Sequence, residues 1–446
     1  MNIKNFKNLS ITSLRRKALE IAEAGYKAIE IEKVIKERIV LSGETLKISH
    51  THFTNSEIEL NLSEFKRIFI IGIGKRSALA SMALAGILGG RLSGGIVLDV
   101  KTPSFFQKIK FCKIRFFKGD HPLPSSSNIK ATKKIIKLAE NLDEKDLVIA
   151  FICGGGSALA CSSEKELEES KTIINELTKK GVDISELNTI RKHLSEFKGG
   201  GLAKMACPAT FVSLIVSDVC GNDLSNVASG PTVMDRTTKK DAERILKKYQ
   251  LPIADYQLYE TSKEEKYFEK VKNILFVCNQ NAITEMAKKS QELGFSSKIF
   301  NLALEGEARE SLLPMIEGVK NNEVLLAAGE TTVTMREMFG VRSNFGKGGR
   351  NMEAVLGAIV KCQMSNVKCR DLAIISFASD AWDNSDAAGA IGDYSTIEKA
   401  KKLKLNPQEF LENHNSYNFF KKTKDLIFAK RKCFNVADLM IILKKN

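Results

Sequence analysis

The chain of 446 residues is short of the features that assign a protein quickly. Its nine cysteines (112, 153, 161, 207, 220, 278, 362, 369 and 433) contain no Cys-x-x-Cys pair and several sit in apolar stretches. That excludes a zinc knuckle or a disulfide scaffold and reads as reduced, buried thiols. Five histidines (His50, His52, His121, His193, His414) form no His-Glu-x-x-His, so zinc hydrolysis has no support. No apolar run approaches the roughly 18 residues that span a bilayer. The N-terminus reads as an amphipathic helix carrying Glu20, Glu23 and Glu30, not as a signal or transit peptide. With 8 prolines, 30 glycines and 43% hydrophobic residues, the composition excludes disorder and collagen. A soluble cytoplasmic protein of two or three domains is expected.

Lys and Arg number 68 against 53 acids, a net +15. The cations read as scattered and interleaved with acids, as in EKELEES (164–170) and TSKEEKYFEK (261–270). The expected partner is therefore a small anionic molecule, with no nucleic acid and no membrane, and a homodimer is left open.

What the chain has is a recurring unit: a short apolar run, a glycine-rich corner, then a helix. RIFIIGIG (67–74), DLVIAFIC (146–153), ATFVSLIVSD (209–218), NILFVCNQ (273–280), EVLLAAGE (323–330) and DLAIISFASD (371–380) carry it. This pattern predicts an α/β fold of two domains with mainly parallel sheets, divided in the charged stretch near residue 240, as 1–240 and 241–446.

The corners bear the chemistry. In Ile71–Ser77 a pair of glycines, the second being Gly74, precedes Lys75 between strand and helix, a setting that favours an anion. Ser77 replaces the third glycine of a dinucleotide fingerprint, and Phe69 the first glycine of a Walker A loop. Gly154, Gly155 and Gly156 before Ser157 leave the main chain open to a phosphate, and no downstream glycine makes Ser157 a hydrolase elbow. Arg191, Lys192, His193 and Lys198 gather before another glycine turn. Asp218 ends an apolar strand, where a carboxylate meets ligand in open α/β sheets, and Asp223 and Ser229 follow. Gly329 and Glu330 close a later strand; Gly348, Gly349, Arg350 and Asn351 open a helix, a second anion cradle; Asp380 follows a third strand.

The ordered set IGIGKRSALASMA, HPLP (121–124), CGGGSALA, NTIRKHLSEFKGGGLA, VSDVCGNDLSNVASGPTV, GETTVT, GKGGRN and SDAWDNSDAAGAIGD resembles the glycerate 2-kinases built from a glycerate kinase N-terminal domain and a MOFRL-type C-terminal domain. The resemblance runs from about residue 11 to 443. It implies a Rossmann-like first domain, an active site in the inter-domain cleft, and ATP- and Mg²⁺-dependent phosphorylation of (R)-glycerate to 2-phosphoglycerate. By it, Lys75 and Arg350 neutralise the phosphoryl group and the glycerate carboxylate. Asp218 holds metal or receives the hydroxyl proton, with Asp223 a second metal ligand. Gly74, Gly154, Gly155, Gly156, Ser157, Arg191, Lys198, Ser229, Gly329, Glu330, Gly348, Gly349, Asn351 and Asp380 line the phosphate and substrate sites. A hydroxypyruvate reductase-type oxidoreductase and an inactive binding relative are the alternatives. The main departure is at 428–438, where Lys430, Arg431 and Lys432 stand in place of a glycine- and threonine-rich loop.

Overall fold

The computed structural model describes residues 1–50, 57–252, 256–335, 346–364 and 369–445. β1 (Ile39–Ser42), β2 (Thr45–Ser49) and β3 (Glu57–Asn61) form a small antiparallel sheet. β4 (Arg67–Ile73), β5 (Gly94–Asp99), β6 (Ile114–Lys118), β7 (Asp146–Cys153), β8 (Thr210–Val216) and β9 (Val271–Val277) form a wholly parallel one, ordered β6-β5-β4-β7-β8-β9. Chain order therefore reverses between β4 and β7, the Rossmann arrangement with its switch point there. β7 is buried at every residue, as a central strand covered on both faces requires, and its unbroken apolar run follows from that. Ile71, Ile73, Val148, Ile152 and Phe211 make the core of this sheet with helices such as Ser126–Ala139.

The last six strands are β10 (Ser296–Leu304), β11 (Glu323–Gly329), β12 (Leu372–Ala378), β13 (Gly389–Asp393), β14 (Leu426–Ile427) and β15 (Asp438–Lys444), ordered β10-β11-β15-β12-β13-β14. Only β10 and β11 pair in parallel. The expectation of a mainly parallel second sheet is thus corrected: β15 arrives from the end of the chain and inserts antiparallel between β11 and β12. A buried apolar run reveals burial on both faces and not strand direction.

The chain divides into two compact units, Ile31–Val277 and a second made of Met1–Glu30 with Cys278–Asn446. The boundary drawn near 240 misses both junctions. The charged stretch after 233 contains the surface helix Lys239–Lys248, whose Ala242, Ile245 and Leu246 pack with Leu187 and Ile190, and β9 then adds a strand to the first sheet. The N-terminal helix Ser13–Ala28 belongs to the second unit because Arg15, fully buried, is gripped by Asp393 at 2.7 Å and Asp425 at 2.6 Å. Tyr26 adds its ring against Phe377 and donates its hydroxyl to the Ala378 carbonyl at 3.1 Å. Such a pair is expensive to break, about 3–5 kcal/mol, since the remaining charges stay buried.

Among the described residues seven cysteines form no disulfide, and Cys153, Cys161, Cys278 and Cys433 of these are buried. Cys362 is disulfide-bonded, which corrects the reading of every cysteine as reduced.

Candidate functional site

At the switch point the corners after β4 and β7 interlock. Gly74, at φ +107°, packs so closely on the Cys153 main chain that a Cβ would stand 2.3 Å from its carbonyl oxygen. The Lys75 N–H donates to the Gly154 carbonyl at 2.9 Å. Asp218, two residues beyond β8, lies directly over Gly154: a Cβ there would be 1.7 Å from Asp218 Oδ2. Gly155, at φ +78°, leaves room for two more side chains, with Lys75 Cε and His121 Nε2 each 3.2 Å from where its Cβ would be. Glycine is required at 154 and 155 because polar side chains occupy the space. Lys75, Asp218, His121 and the Gly154–Gly155 main chain thus converge, and among the described residues Lys75 has no ion-pair partner.

The next turn is built to hold this corner. Gly156 packs on Ala228, and the buried Ser229 donates its hydroxyl to Ser157 at 2.9 Å. Arg191, on the helix Ile184–His193 that packs on this turn, is half-buried and donates to Asn188 Oδ1 at 3.2 Å. Asn188 Nδ2 donates to Asn226 Oδ1 at 3.4 Å, and Asn226 Nδ2 to Asp223 Oδ2 at 3.0 Å. No described carboxylate pairs with Arg191, and burial pulls its pKa below the ordinary arginine value. A desolvated guanidinium facing only an amide oxygen is suited to an incoming anion.

Other expected ligand groups are already engaged. Lys198 is buried in a 2.6 Å ion pair with the equally buried Glu166, so it is structural. Asp223 is exposed and accepts from Ser225 N at 2.9 Å as well as from Asn226, which makes it a turn cap. The helix Ser77–Leu88 offers no free anion site, because Asp99 accepts from Ala78 N at 3.0 Å.

In the second unit, Arg350 opens the helix Arg350–Met364 and is held by Asp438 at the start of β15 and Glu330 just past β11. Burial disfavours its charge, but the two carboxylates outweigh that and raise its pKa above the ordinary value. The expected cradle before the helix is filled from within. Asp383 accepts from Asn351 N at 3.1 Å and Met352 N at 2.9 Å. Gly349 lets Asp383 approach, a Cβ there being 2.3 Å from its Cγ, and Gly348 does the same for Ser416. Asn351 is buried and accepts from the Ser376 hydroxyl at 2.6 Å. Gly329 serves the sheet, its Cβ position 2.1 Å from the Leu304 carbonyl oxygen. Asp380 accepts from Trp382 N at 3.0 Å, and Arg431 lies 4.2 Å over the Trp382 ring. Asp383 itself is pushed up to about 7 by burial and then by the Asp438 charge, against the N–H groups of Met352 and Asn351.

Sequence reasoning did not select His121 as a site residue; its Asp-His-Pro-Leu-Pro setting was the available signal. Among the described residues no three His, Cys, Asp or Glu side chains cluster as a metal site.

The fold defines an α/β protein whose open polar corner lies at the switch point of a parallel sheet. Residues 17–258 match the family described as a domain of unknown function (DUF4147), and 323–438 match the MOFRL family. A D-glycerate 2-kinase of Thermotoga maritima is 30% identical across 96% of this chain and 98% of its own. A relative from Agrobacterium vitis, whose name marks it as a proposed hydroxypyruvate reductase, is 33% identical across 84% of this chain and 87% of its own. The crystal structure of a Thermotoga maritima glycerate kinase superposes with a TM-score of 0.77 at 28% identity, covering 97% of this chain and 99% of that one. The chain belongs to the glycerate 2-kinase family, with a DUF4147 segment followed by MOFRL.

Proposed function

We propose that the protein phosphorylates (R)-glycerate at its 2-hydroxyl from ATP, by direct in-line transfer with no covalent enzyme intermediate. The observation that carries this reading is the convergence of Lys75, Asp218 and His121 on the Gly154–Gly155 corner. Phosphoryl transfer depends on positioning and charge neutralisation more than on a protein nucleophile, and this corner offers both. Lys75 neutralises the transferring phosphoryl group, and the Gly154–Gly156 main chain allows its oxygens close approach. Arg191 binds the glycerate carboxylate, which supplies the anion its desolvated guanidinium lacks. Asp218 receives the hydroxyl proton or contributes to holding the metal.

Mg²⁺ is usually held by nucleotide enzymes through one or two carboxylates, and the carboxylate over Gly154 would serve in that way here. Asp218 would hold it, and Asp223, committed to its turn, would not. When bound, the ion neutralises phosphate charge. Arg350 orders the second unit's corner through Asp438 and Glu330.

The test is ADP release with (R)-glycerate, the product read by phosphorus NMR. A 2-phosphorylated product is expected. Phosphorylation at the 3-position would overturn the regiochemistry, and NADH-dependent turnover of hydroxypyruvate without ATP would overturn the class.

A further inference from the structure

The charge read as scattered is in fact concentrated. Residues 101–139 hold ten cations against one acid, Asp120, a net +9 out of the chain's +15. All ten (Lys101, Lys108, Lys110, Lys113, Arg115, Lys118, Lys130, Lys133, Lys134 and Lys137) are exposed. Eight of them lie on β6, which ends its sheet, and on the helices Phe105–Lys110 and Ser126–Ala139 that flank it in sequence, and Lys101 and Lys113 lie in the adjoining turns. Lys134 Nζ stands 6.0 Å from the centre of the Phe117 ring, which ties the second helix to β6.

Cations along an edge strand by themselves only guard it against pairing with another chain. The first helix carries more than that. Phe105, Phe106 and Ile109, at i, i+1 and i+4, are 72%, 81% and 57% exposed and share one face. Large apolar side chains this far out of a folded surface, ringed by one sign of charge, mark an interaction site.

We propose that this face docks the protein peripherally on an anionic lipid surface, with Phe105, Phe106 and Ile109 entering the headgroup boundary and the lysines facing acidic lipids. The charge complementarity is direct, since each lysine near such a surface contributes about 1 kcal/mol and the inserted apolar side chains add to it. A second copy of the chain is the wrong occupant, because a two-fold contact would set +9 against +9. Nucleic acid is disfavoured by the residue types. Nine of the ten cations are lysines, the strongly hydrated point charge, and arginine is the residue suited to bidentate phosphate and base contacts. Ile109 has no ring face on which a base could stack.

The test is sedimentation of the full chain with phosphatidylcholine vesicles and with an equimolar phosphatidylcholine–phosphatidylglycerol mixture. Binding to the mixture only is expected, weakening with salt. It should fall about tenfold or more in the triple variant Phe105→Ser, Phe106→Ser, Ile109→Ser, and likewise in Lys108→Glu, Lys110→Glu, Lys118→Glu. All six side chains are exposed, so the variants keep the fold, and unchanged circular dichroism checks it. The proposal is overturned by equal binding to both vesicles, or by none. Preferential retention of a single-stranded RNA oligonucleotide would overturn it in favour of nucleic acid. Self-association lost in the Phe105→Ser set, without vesicle binding, would overturn it in favour of a homotypic interface.

Discussion

Two glycine-rich corners, one in each unit, look alike in sequence and differ in what fills them. After β7, the glycines make room for Lys75, which has no ion-pair partner among the described residues, and for Asp218 over Gly154. Before the helix Arg350–Met364, the glycines make room for Asp383 and Ser416, and the cation is held by two acids of its own unit. A glycine beside a helix start permits close approach without saying whether the approaching group is ligand or protein. The first corner can gain charge compensation from an anion; the second has already made it. Substitution should therefore cost chemistry in one and stability in the other.

The sharpest test of that division is Lys75→Ala. Loss of a preorganised cation at a transferring phosphoryl group should lower kcat/KM about a hundredfold or more, some 3 kcal/mol. The melting temperature should hold, because no described acid depends on Lys75. Steady-state kinetics with a thermal melt decide it; a large drop in melting temperature would remove the distinction between the corners.

Arg350→Ala should behave in the opposite way. It strands Asp438, which is almost fully buried, beside Asp383. A stability loss of about 3 kcal/mol is expected, the low end for breaking a buried pair because the arginine is one-third exposed. Adding Asp438→Asn should restore much of it, and denaturant unfolding reads both. A fully stable single variant would show that Arg350 is as free as Lys75.

Arg191→Gln separates binding from folding within the open corner. The KM for glycerate should rise about tenfold while the KM for ATP changes little, as expected of an anchor for the substrate carboxylate. Stability should stay level or improve, since the arginine's burial is not offset by any described carboxylate. A rise confined to the ATP KM would move Arg191 to the phosphates.

Strands were legible in the sequence because β4, β7, β8, β11 and β12 are short, mostly apolar runs with a glycine or an acid at their end or within two residues of it. The corners were legible as corners. Occupancy was not, because partners come from distant positions: Glu166 takes Lys198, Asp383 fills the cradle beside Gly349, and Arg15 meets Asp393 and Asp425 nearly the whole chain away. The basic face is a different case: its ten cations against one acid fall within the continuous stretch 101–139 and can be counted in the sequence, whereas the exposure of Phe105, Phe106 and Ile109 among them shows only in the fold. Direction was also hidden, and β15 is the strand it cost.

A change of pH tests the closed corner through its own acid. Asp383 has a folded pKa of about 7, raised by burial and the Asp438 charge from the ordinary carboxylate range near 4. Between those values the folded state binds the extra proton. Asp383 therefore contributes stability that is complete below about pH 4 and is lost as the pH rises through about 7. Asp383→Asn keeps an acceptor for one helix N–H and cannot ionise. Measured against wild type by denaturant unfolding, the variant should gain about 2–3 kcal/mol in relative stability from near pH 5 to near pH 8. A relative stability independent of pH over that range would mean that Asp383 stays ionised, and that its two helix N–H partners outweigh both burial and Asp438.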